Sequence, residues 1–212
     1  MTLILALLTP ALAVDHEIDV EAGWLNAPDS GWSRFSERPS LMTIGVRGGF
    51  ALTDRLALVA GWQHGGDGVS VTTDGYEYDY DYDYDYGDDT SGSTFTSAFT
   101  GEQFTLGAKV DIEPFPWFRP YVAAQGALLV ATARFDEDLS TDDNVTQRRE
   151  TGLTGGFVAS LGLEFPIAVV DGLAIAPYAE GGYAWYAPVA LSDVGSLSFH
   201  GFSGRAGVGL RF

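Results

Sequence analysis

Apolar and polar residues alternate along most of the chain with a period of two. Near the end, for example, Val208, Leu210 and Phe212 alternate with Gly207, Gly209 and Arg211. Successive side chains of a strand point to opposite faces, so each run predicts a strand with one apolar face and one small or charged face. Eight such runs lie at about 18–24, 42–50, 55–63, 103–112, 119–134, 157–165, 172–186 and 202–212.

The links between these runs alternate strictly between short and long. Short links fall near 52–55, 113–118 and 166–172, and long ones near 25–40, 65–101, 135–151 and 187–198. Antiparallel neighbours joined in this way have all long loops at one end and all short turns, with both termini, at the other. This pattern is typical of membrane barrels. The sequence therefore predicts an all-β, eight-stranded antiparallel up-and-down transmembrane β-barrel.

One face of each predicted strand is apolar, and the other carries charges of both signs. We predict that the apolar face contacts lipid and the charged face fills the barrel, because an unpaired buried ion is strongly unfavourable. A soluble β-sandwich is the alternative interpretation. The predicted interior charges are Asp19, Glu21, Asp111, Glu164 and Glu180 with Arg47, Arg55, Lys109, Arg205 and Arg211, five of each sign.

Aromatic residues fall into two bands, as expected where rings meet the two lipid interfaces. The band at the short-turn rim comprises Phe50, Phe115, Trp117, Phe165 and Phe212. The band toward the long-loop rim comprises Trp24, Trp62, Phe157, Trp185 and Phe202.

The first residues have the pattern of an export signal. The apolar run from Leu3 to Leu8 is followed by Pro10 and then by Ala11-Leu12-Ala13, which matches an A-x-A cleavage site. We predict a signal peptide at 1–13 and an outer-membrane barrel domain at 14–212, with a long acidic loop at 65–101. A buried N-terminal segment is the alternative. No later apolar run is long enough to predict a transmembrane helix.

The composition limits the possible partners and chemistries. Only 11 Lys and Arg residues face 29 Asp and Glu residues, which gives a formal charge of -18. Nucleic-acid binding is not expected, because it needs a basic surface for the phosphates. Without cysteine the chain has no disulfide, thiolate nucleophile or thiolate metal site.

Two segments resemble those of a known family. The final stretch from Gly204 to Phe212 is similar to the closing strand that the outer-membrane assembly machinery recognises. The segment from Phe118 to Gly126 resembles a strand opening common in small barrels of the OmpA and OmpX type. The resemblance covers about 15–212 and implies an eight-stranded barrel in the outer membrane of a Gram-negative bacterium, with no periplasmic peptidoglycan-binding domain. It also implies recognition by the barrel-assembly machinery through Phe212. One fold supports many functions, so it implies none in particular.

A Tyr–Asp repeat, YEYDYDYDYDYG, occupies the second long link from Tyr76 to Gly87. The link from Gly65 to Gly101 holds nine acids and no base, and the third long link holds six acids against Arg148 and Arg149. Three interpretations remain open: a solvated low-complexity repeat, an adhesive tyrosine face, or a surface that binds divalent cations weakly. For the third, the ligands are Asp79, Asp81, Asp83 and Asp85, which would hold Ca²⁺ or Mg²⁺. No other cofactor is predicted.

No catalytic residues are predicted. The histidines are His16, His64 and His200, and only His200 lies close in sequence to a serine, Ser203. Their separation of three places them on opposite faces of a strand, which is the wrong arrangement for a nucleophile and its base. A lipid-modifying barrel enzyme would have clustered polar groups on the lipid-facing side near one rim, and the alternation does not predict them.

The sequence thus predicts a structural or interaction protein of the bacterial outer membrane that displays acidic loops at the cell surface. Its partners would be outer-membrane lipid and an extracellular ligand or host surface. A lipid-modifying enzyme and a small gated, porin-like pore are the alternatives. A wide channel is disfavoured, because eight strands leave room only for side chains.

Overall fold

The computed structural model describes residues 16–73, 93–112, 117–138, 146–192 and 195–212. None of the helical segments in these ranges is long and apolar enough to cross a membrane. The elements, in chain order, are β1 Glu17–Asn26, a 3₁₀ helix Ser30–Arg34, β2 Ser40–Ala51, β3 Leu56–Thr73, β4 Ser93–Asp111, β5 Arg119–Asp138, β6 Thr146–Glu164, β7 Ile167–Val170, β8 Leu173–Tyr186, β9 Val189–Leu191, β10 Gly195–Leu197 and β11 His200–Arg211.

Eight of these strands close into a barrel. The order around it is β1, β2, β3, β4, β5, β6, β8 and β11, and β11 pairs with both β8 and β1. Every pairing is antiparallel, as in the register that places Val20 opposite Val208 and Arg205 opposite Glu180. The predicted eight-stranded up-and-down barrel is therefore confirmed. The short link at 166–172 differs from the prediction in one respect, because it contains β7, which pairs with the start of β8.

Four neighbouring strands are much longer than the rest. β1, β2, β8 and β11 have 10 to 14 residues, whereas β3 to β6 have 18 to 20. A membrane-spanning strand needs about 9–11 residues, so β3 to β6 continue for roughly eight residues beyond the lipid. We call this part the extended sheet; it comprises 66–73, 93–100, 132–138 and 146–151.

The extended sheet corrects two predicted loop boundaries. Residues 65–73 and 93–101 were predicted as ends of a loop but form paired strand, with Thr73 opposite Ser93. Likewise, 135–138 and 146–151 are strand rather than loop. The cause is local, because Val69, Val71, Phe95 and Ser97 continue the strand alternation past the point at which acids begin to dominate the sequence.

The outside of the barrel is apolar. Large side chains on this face remain exposed, including Val20 at 66%, Ile44 at 64% and Phe202 at 80%. A continuous apolar surface of this size is a lipid-contact surface. The outward orientation of the aromatic bands is also confirmed, because Trp24, Trp62, Phe157, Trp185 and Phe202 are exposed toward the long-loop end, and Phe50, Trp117, Phe165 and Phe212 at the other. Phe115 lies outside the described residues.

The inner face uses glycine to make room for long polar side chains. A Cβ on Gly162 would lie 2.1 Å from the Cζ of Tyr121, and one on Gly209 would lie 2.0 Å from the Oδ1 of Asp19. Both distances are far shorter than an ordinary van der Waals contact. Glycine at these positions is what allows the ring and the carboxylate to lie across the barrel.

Candidate functional site

The half of the interior nearest the short turns is filled by paired charges. We call this group the ion network. Near the end of the barrel, the Lys109 Nζ lies 2.5 Å from Glu17 and 3.1 Å from Glu164. Arg211 pairs with the same two carboxylates, at 3.2 Å from Glu17 and in close contact with Glu164. All four side chains are at least nine-tenths buried. The members of the ion network are Glu17, Asp19, Glu21, Arg47, Lys109, Asp111, Glu164, Glu180, Arg205 and Arg211.

A second group in the ion network is built around Glu180. Arg47 donates to Glu180 at 2.9 Å and to Asp19 at 2.8 Å. Arg205 lies 2.6 Å from the other oxygen of Glu180 and donates to Gln125 at 3.0 Å. Glu180 therefore holds two guanidinium groups, one from the neighbouring strand β11 and one from β2.

Two tyrosines complete this packing. The Tyr121 hydroxyl donates to Glu180 at 2.8 Å, and the Lys109 ammonium lies 4.8 Å from the centre of the Tyr121 ring. The Tyr178 hydroxyl donates to Glu21 at 2.6 Å, and Arg47 lies 4.4 Å from the Tyr178 ring. These acids are engaged by cations and hydroxyls from other strands, so the ion network is a structural core rather than a pair of catalytic carboxylates.

The predicted set of interior charges needs two corrections. Arg55 is exposed, because it lies in the turn 52–55 rather than on the strand that follows. Glu17 was not predicted, yet it is 5% exposed and pairs with Lys109 and Arg211. The ion network thus has six acids and four bases, and the predicted balance of five and five was wrong.

The other half of the interior is apolar, which the sequence interpretation did not predict. We call this group the mouth cluster. It joins inward side chains of the barrel to side chains from two of the long loops. Within it the Trp32 ring lies edge-on to Phe99, with centroids 5.1 Å apart, and Phe199 lies 5.5 Å from Phe99. Its members are Leu25, Ala27, Trp32, Phe35, Leu41, Phe99, Leu129, Ala131, Ala133, Val158, Ala184, Tyr186, Val189, Leu191, Leu197 and Phe199.

The first long loop enters the mouth as one turn of 3₁₀ helix. Asp29 caps that turn by accepting from the Gly31 amide at 2.9 Å. The Trp32 indole then donates to the Arg38 carbonyl at 2.7 Å, which closes the loop on itself. Ser36 donates to Asp67 of β3 at 2.6 Å and fixes the loop to the barrel wall.

The fourth long loop also enters the mouth, as the β9–β10 hairpin. Val189 and Leu197 are buried, and a Cβ on Gly152 would lie 2.4 Å from a Val189 methyl. Thr154 of β6 donates to the Ala187 carbonyl at 2.5 Å. Together the two loops and the mouth cluster fill the end of the barrel above the ion network.

The extended sheet carries a groove on its concave side. The groove is about 450 Å³ and lies between the sheet and the 3₁₀ helix. Val69, Val71, Phe95 and Phe135 provide its apolar lining, and Arg34, Arg148, Asp136 and Glu137 also line it. The groove therefore has a mixed polar and apolar lining.

The predicted cation ligands Asp79, Asp81, Asp83 and Asp85 lie outside the described residues, as does the predicted signal peptide at 1–13. Among the residues that the structure describes, no group of three or more His, Asp or Glu side chains is arranged to hold a metal ion.

The histidines are distributed as single residues. His16 stacks on Phe50, with centroids 4.7 Å apart, beside the carboxyl end of the chain. His200 accepts from Asn26 through its carbonyl oxygen at 3.0 Å. Within the described ranges no hydrogen bond joins His200 to Ser203.

A polar cluster does occur on the lipid-facing side near the long-loop rim, where none was predicted. The Nδ1 of His64 lies 2.7 Å from Glu102, and the Trp62 indole donates to the same carboxylate at 2.8 Å. The sequence did not reveal this pairing, because the register of β3 and β4 across a long link cannot be read from alternation. In the described part of the chain no serine or threonine hydroxyl is bonded to the His64 ring.

No protein-family model matches the chain, and no curated protein matches it in sequence. Its structure is similar to that of Ail, the attachment invasion locus protein of Yersinia pestis, with 12% identity, 94% of this chain and 99% of that chain covered, and a TM-score of 0.51. The chain has the fold of the small eight-stranded outer-membrane barrels.

Two further structures match over most of their length. They are the N-terminal β-barrel domain of Pseudomonas aeruginosa OprF (16% identity, 92% of this chain and 97% of that chain, TM-score 0.37) and Neisserial surface protein A (13% identity, 93% and 94%, TM-score 0.41). At 12% identity the likeness to Ail establishes the fold alone. The predicted resemblance to small outer-membrane barrels is confirmed, and the predicted bacterial outer-membrane location agrees with this fold and with the lipid-contact exterior.

Proposed function

We propose that this protein is a closed, non-catalytic barrel of the bacterial outer membrane that presents its extended sheet and acidic loops to molecules outside the cell. The observation that carries the proposal is the contrast between the filled interior of the barrel and the strands that continue beyond the lipid. The ion network and the mouth cluster fill the barrel, whereas β3 to β6 continue well past the lipid. The surface available for function is thus the extended sheet.

The charge of the long segment that links β3 to β4 favours an electropositive partner. Nine acids and no base lie between Gly65 and Gly101. Such a surface attracts basic partners at low ionic strength and loses that attraction as salt screens it. The similarity to a protein named for attachment and invasion supports a role in contact with host or other surfaces, and does not identify a partner.

The proposal can be tested by shortening the extended sheet. Val69 and Ser97 are paired across β3 and β4. Replacing 70–96 by Asn-Gly would therefore join them through a two-residue hairpin loop without changing the register below. Bacteria that display this variant should lose most of their attachment to epithelial cells and to a polylysine-coated surface, relative to bacteria that display the wild-type protein.

A control variant that changes only the charge separates the effect of segment length on attachment from the effect of charge. Changing Asp79, Asp81, Asp83 and Asp85 to Asn keeps the length of the segment and removes four negative charges. This control should lower attachment to polylysine more than attachment to cells. Equal attachment by the shortened and wild-type proteins, at equal surface levels, would refute the proposal.

We also propose that the carboxyl end is recognised during assembly. The Phe212 backbone pairs with His16 in both directions, at 2.8 and 3.0 Å, while the Phe212 ring is 53% exposed. An exposed terminal ring adds little to the folded barrel and is accessible to an assembly factor. Phe212→Ala should lower the amount of protein assembled in cells severalfold and leave refolding in detergent unchanged. A refolding defect of the same size would instead indicate a structural role.

A further inference from the structure

The outer face of β4, β5 and β6 changes character at the point where the apolar belt ends. Phe104 and Leu128 are lipid-facing neighbours, at 45% and 42% exposed. Two rows further toward the long-loop end, Thr100, Thr132 and Thr151 lie side by side across the three strands. Arg134 and Arg149 follow in the next row. We call these side chains the interface patch; its members are Thr100, Thr132, Thr151, Arg134 and Arg149.

Arg134 and Arg149 are directly opposite each other in the register of β5 and β6. Both are exposed, and both follow the outward phase of their strands. Like charges placed opposite each other on a sheet face repel and destabilise the pairing. Arg134 has an ion pair with Asp136 at 3.0 Å, but within the described residues Arg149 has none. An anion placed between the two guanidinium groups would remove the repulsion.

The interface patch surrounds a hollow of about 760 Å³. Ala98 and Val130 form part of its apolar lining, and Gln147 and Arg148 line it beside the two arginines of the interface patch. The hydroxyls of Thr132 and Thr151 are 3.2 Å apart and face the same side. The interface patch therefore offers two cations and several hydroxyl donors above an apolar floor, which is the chemistry that holds a phosphate group.

The position of the hollow relative to the membrane suggests what occupies it. Trp62 lies two rows below and donates to Glu102, and indole rings of this kind mark the headgroup level of a bilayer. Below that level the outer face is apolar and would lie against acyl chains. A ligand that combines a phosphate with acyl chains would fill both parts, whereas a free anion would use only the upper one.

Arginine at this position is also exceptional for this chain. The protein has 11 Lys and Arg residues against 29 acids, and four of the bases are buried in the ion network. Two of the remaining bases are adjacent at the lipid interface. Glu102, the acid that also lines the hollow, is bonded to His64 and Trp62 and so is already partly compensated.

We propose that the interface patch binds the phosphate group of an outer-leaflet lipid. Arg134 and Arg149 contact the phosphate oxygens, the threonine hydroxyls donate to the same headgroup, and the acyl chains lie along the apolar face of β4 to β6. This lipid site goes beyond the surface-contact function proposed above. It rests only on the part of that proposal that places the barrel in the outer membrane.

The test uses the refolded protein in an uncharged maltoside detergent and native mass spectrometry to count retained lipids. The probe is lipid A with two phosphates, compared with lipid A from which the phosphates have been removed. Arg134→Gln combined with Arg149→Gln should reduce retention of the phosphorylated probe about tenfold or more, because both charge-assisted contacts are lost. The corresponding double lysine variant should retain part of the binding. Arg55→Gln, which removes one exposed charge at the opposite rim, is the control and should bind like the wild type.

Three results would overturn the proposal. Equal retention by the double glutamine variant would show that the arginines do not hold the lipid. Equal retention of dephosphorylated lipid A would assign binding to the apolar belt alone. Displacement of the lipid by millimolar inorganic phosphate would assign the patch to a free anion. A heat-dependent shift in gel mobility, measured on every variant, reports barrel folding separately, so failure of the membrane proposal and failure of the lipid site are distinguishable.

Discussion

The ion network and the mouth cluster fill the same barrel with opposite chemistry. The ion network consists of side chains on the barrel strands themselves, and cations from other strands hold the carboxylates of Glu17, Asp19, Glu21, Glu164 and Glu180. The mouth cluster depends on two loops, which bring Trp32, Phe35, Val189 and Phe199 into the barrel. The difference indicates that the first region stabilises the barrel wall, and the second closes a barrel that already exists.

The largest effect is expected from removing one partner of the ion network. Glu180→Leu leaves Arg47 and Arg205 without the carboxylate they share, and an uncompensated buried charge costs about 3–5 kcal/mol. The midpoint of urea unfolding of the protein in lipid vesicles should fall accordingly.

Asp54→Leu is the matched control for Glu180→Leu, because it makes the same charge change at an exposed turn. This control should leave the midpoint nearly unchanged. A Glu180→Leu protein as stable as the Asp54→Leu protein would show that the ion network does not stabilise the barrel wall.

A smaller loss of stability is expected from adding a methyl group within the same region. Gly162→Ala places a methyl group against the Tyr121 ring, and overpacking of this kind costs about 1–3 kcal/mol. Gly181→Ala is the control, since a Cβ there meets nothing within 4 Å. Equal unfolding midpoints for the two variants would contradict the tight packing inferred for Tyr121.

A change in the mouth cluster should act locally instead. Trp32→Ala removes the indole that contacts Phe99 and Phe199 and the bond to the Arg38 carbonyl. Because a loop can open without unfolding the barrel wall, the free energy of unfolding of the barrel should fall by less than about 1 kcal/mol. Trypsin cleavage after Arg34, which is followed by Phe35, should become much faster.

Trp117→Ala is the control for this loop experiment, because Trp117 is 69% exposed at the opposite rim. It should not change cleavage after Arg34. If Trp32→Ala lowered the barrel midpoint as much as Glu180→Leu, the division of the interior into wall-stabilising and closing regions would be wrong.

The smallest effect concerns the proposed cation surface at Asp79, Asp81, Asp83 and Asp85. Ca²⁺ held by separate carboxylates binds in the millimolar range, on the order of 10⁻³ M. It should slow chymotrypsin cleavage at the neighbouring tyrosines a few-fold in the wild type and leave the Asp-to-Asn variant unchanged. Equal protection of both proteins would exclude these aspartates as the ligands.

The sequence predicted the barrel well because lipid and a filled interior impose alternation on every strand. That constraint gave the strand number, the inward phase of Glu180 and the outward phase of Phe202. It failed where alternation carries no information. The apolar residues Trp32, Phe35, Val189 and Phe199 lie in links, and a link's sequence does not say whether it enters the barrel.

The unknown register between strands was the second limit on prediction from the sequence. Glu17, which begins β1, could not be placed opposite Lys109 and Arg211 from its own run, and Arg55 was assigned to a strand that starts one residue later. The sequence could not predict that Arg134 lies opposite Arg149, or that His64 lies opposite Glu102, for the same reason. Contacts between strands joined by long links require the alignment of those strands, which a single sequence does not contain.

The most direct test of the account is ion conductance across a planar bilayer, with insertion verified by heat-dependent gel mobility of the same preparation. A barrel filled by the ion network and closed by the mouth cluster should insert and give no stable single-channel current. Trp32→Ala should behave in the same way, since the ion network still fills the lower half. Stable channels from the folded wild-type protein would contradict the closed barrel and favour a small pore.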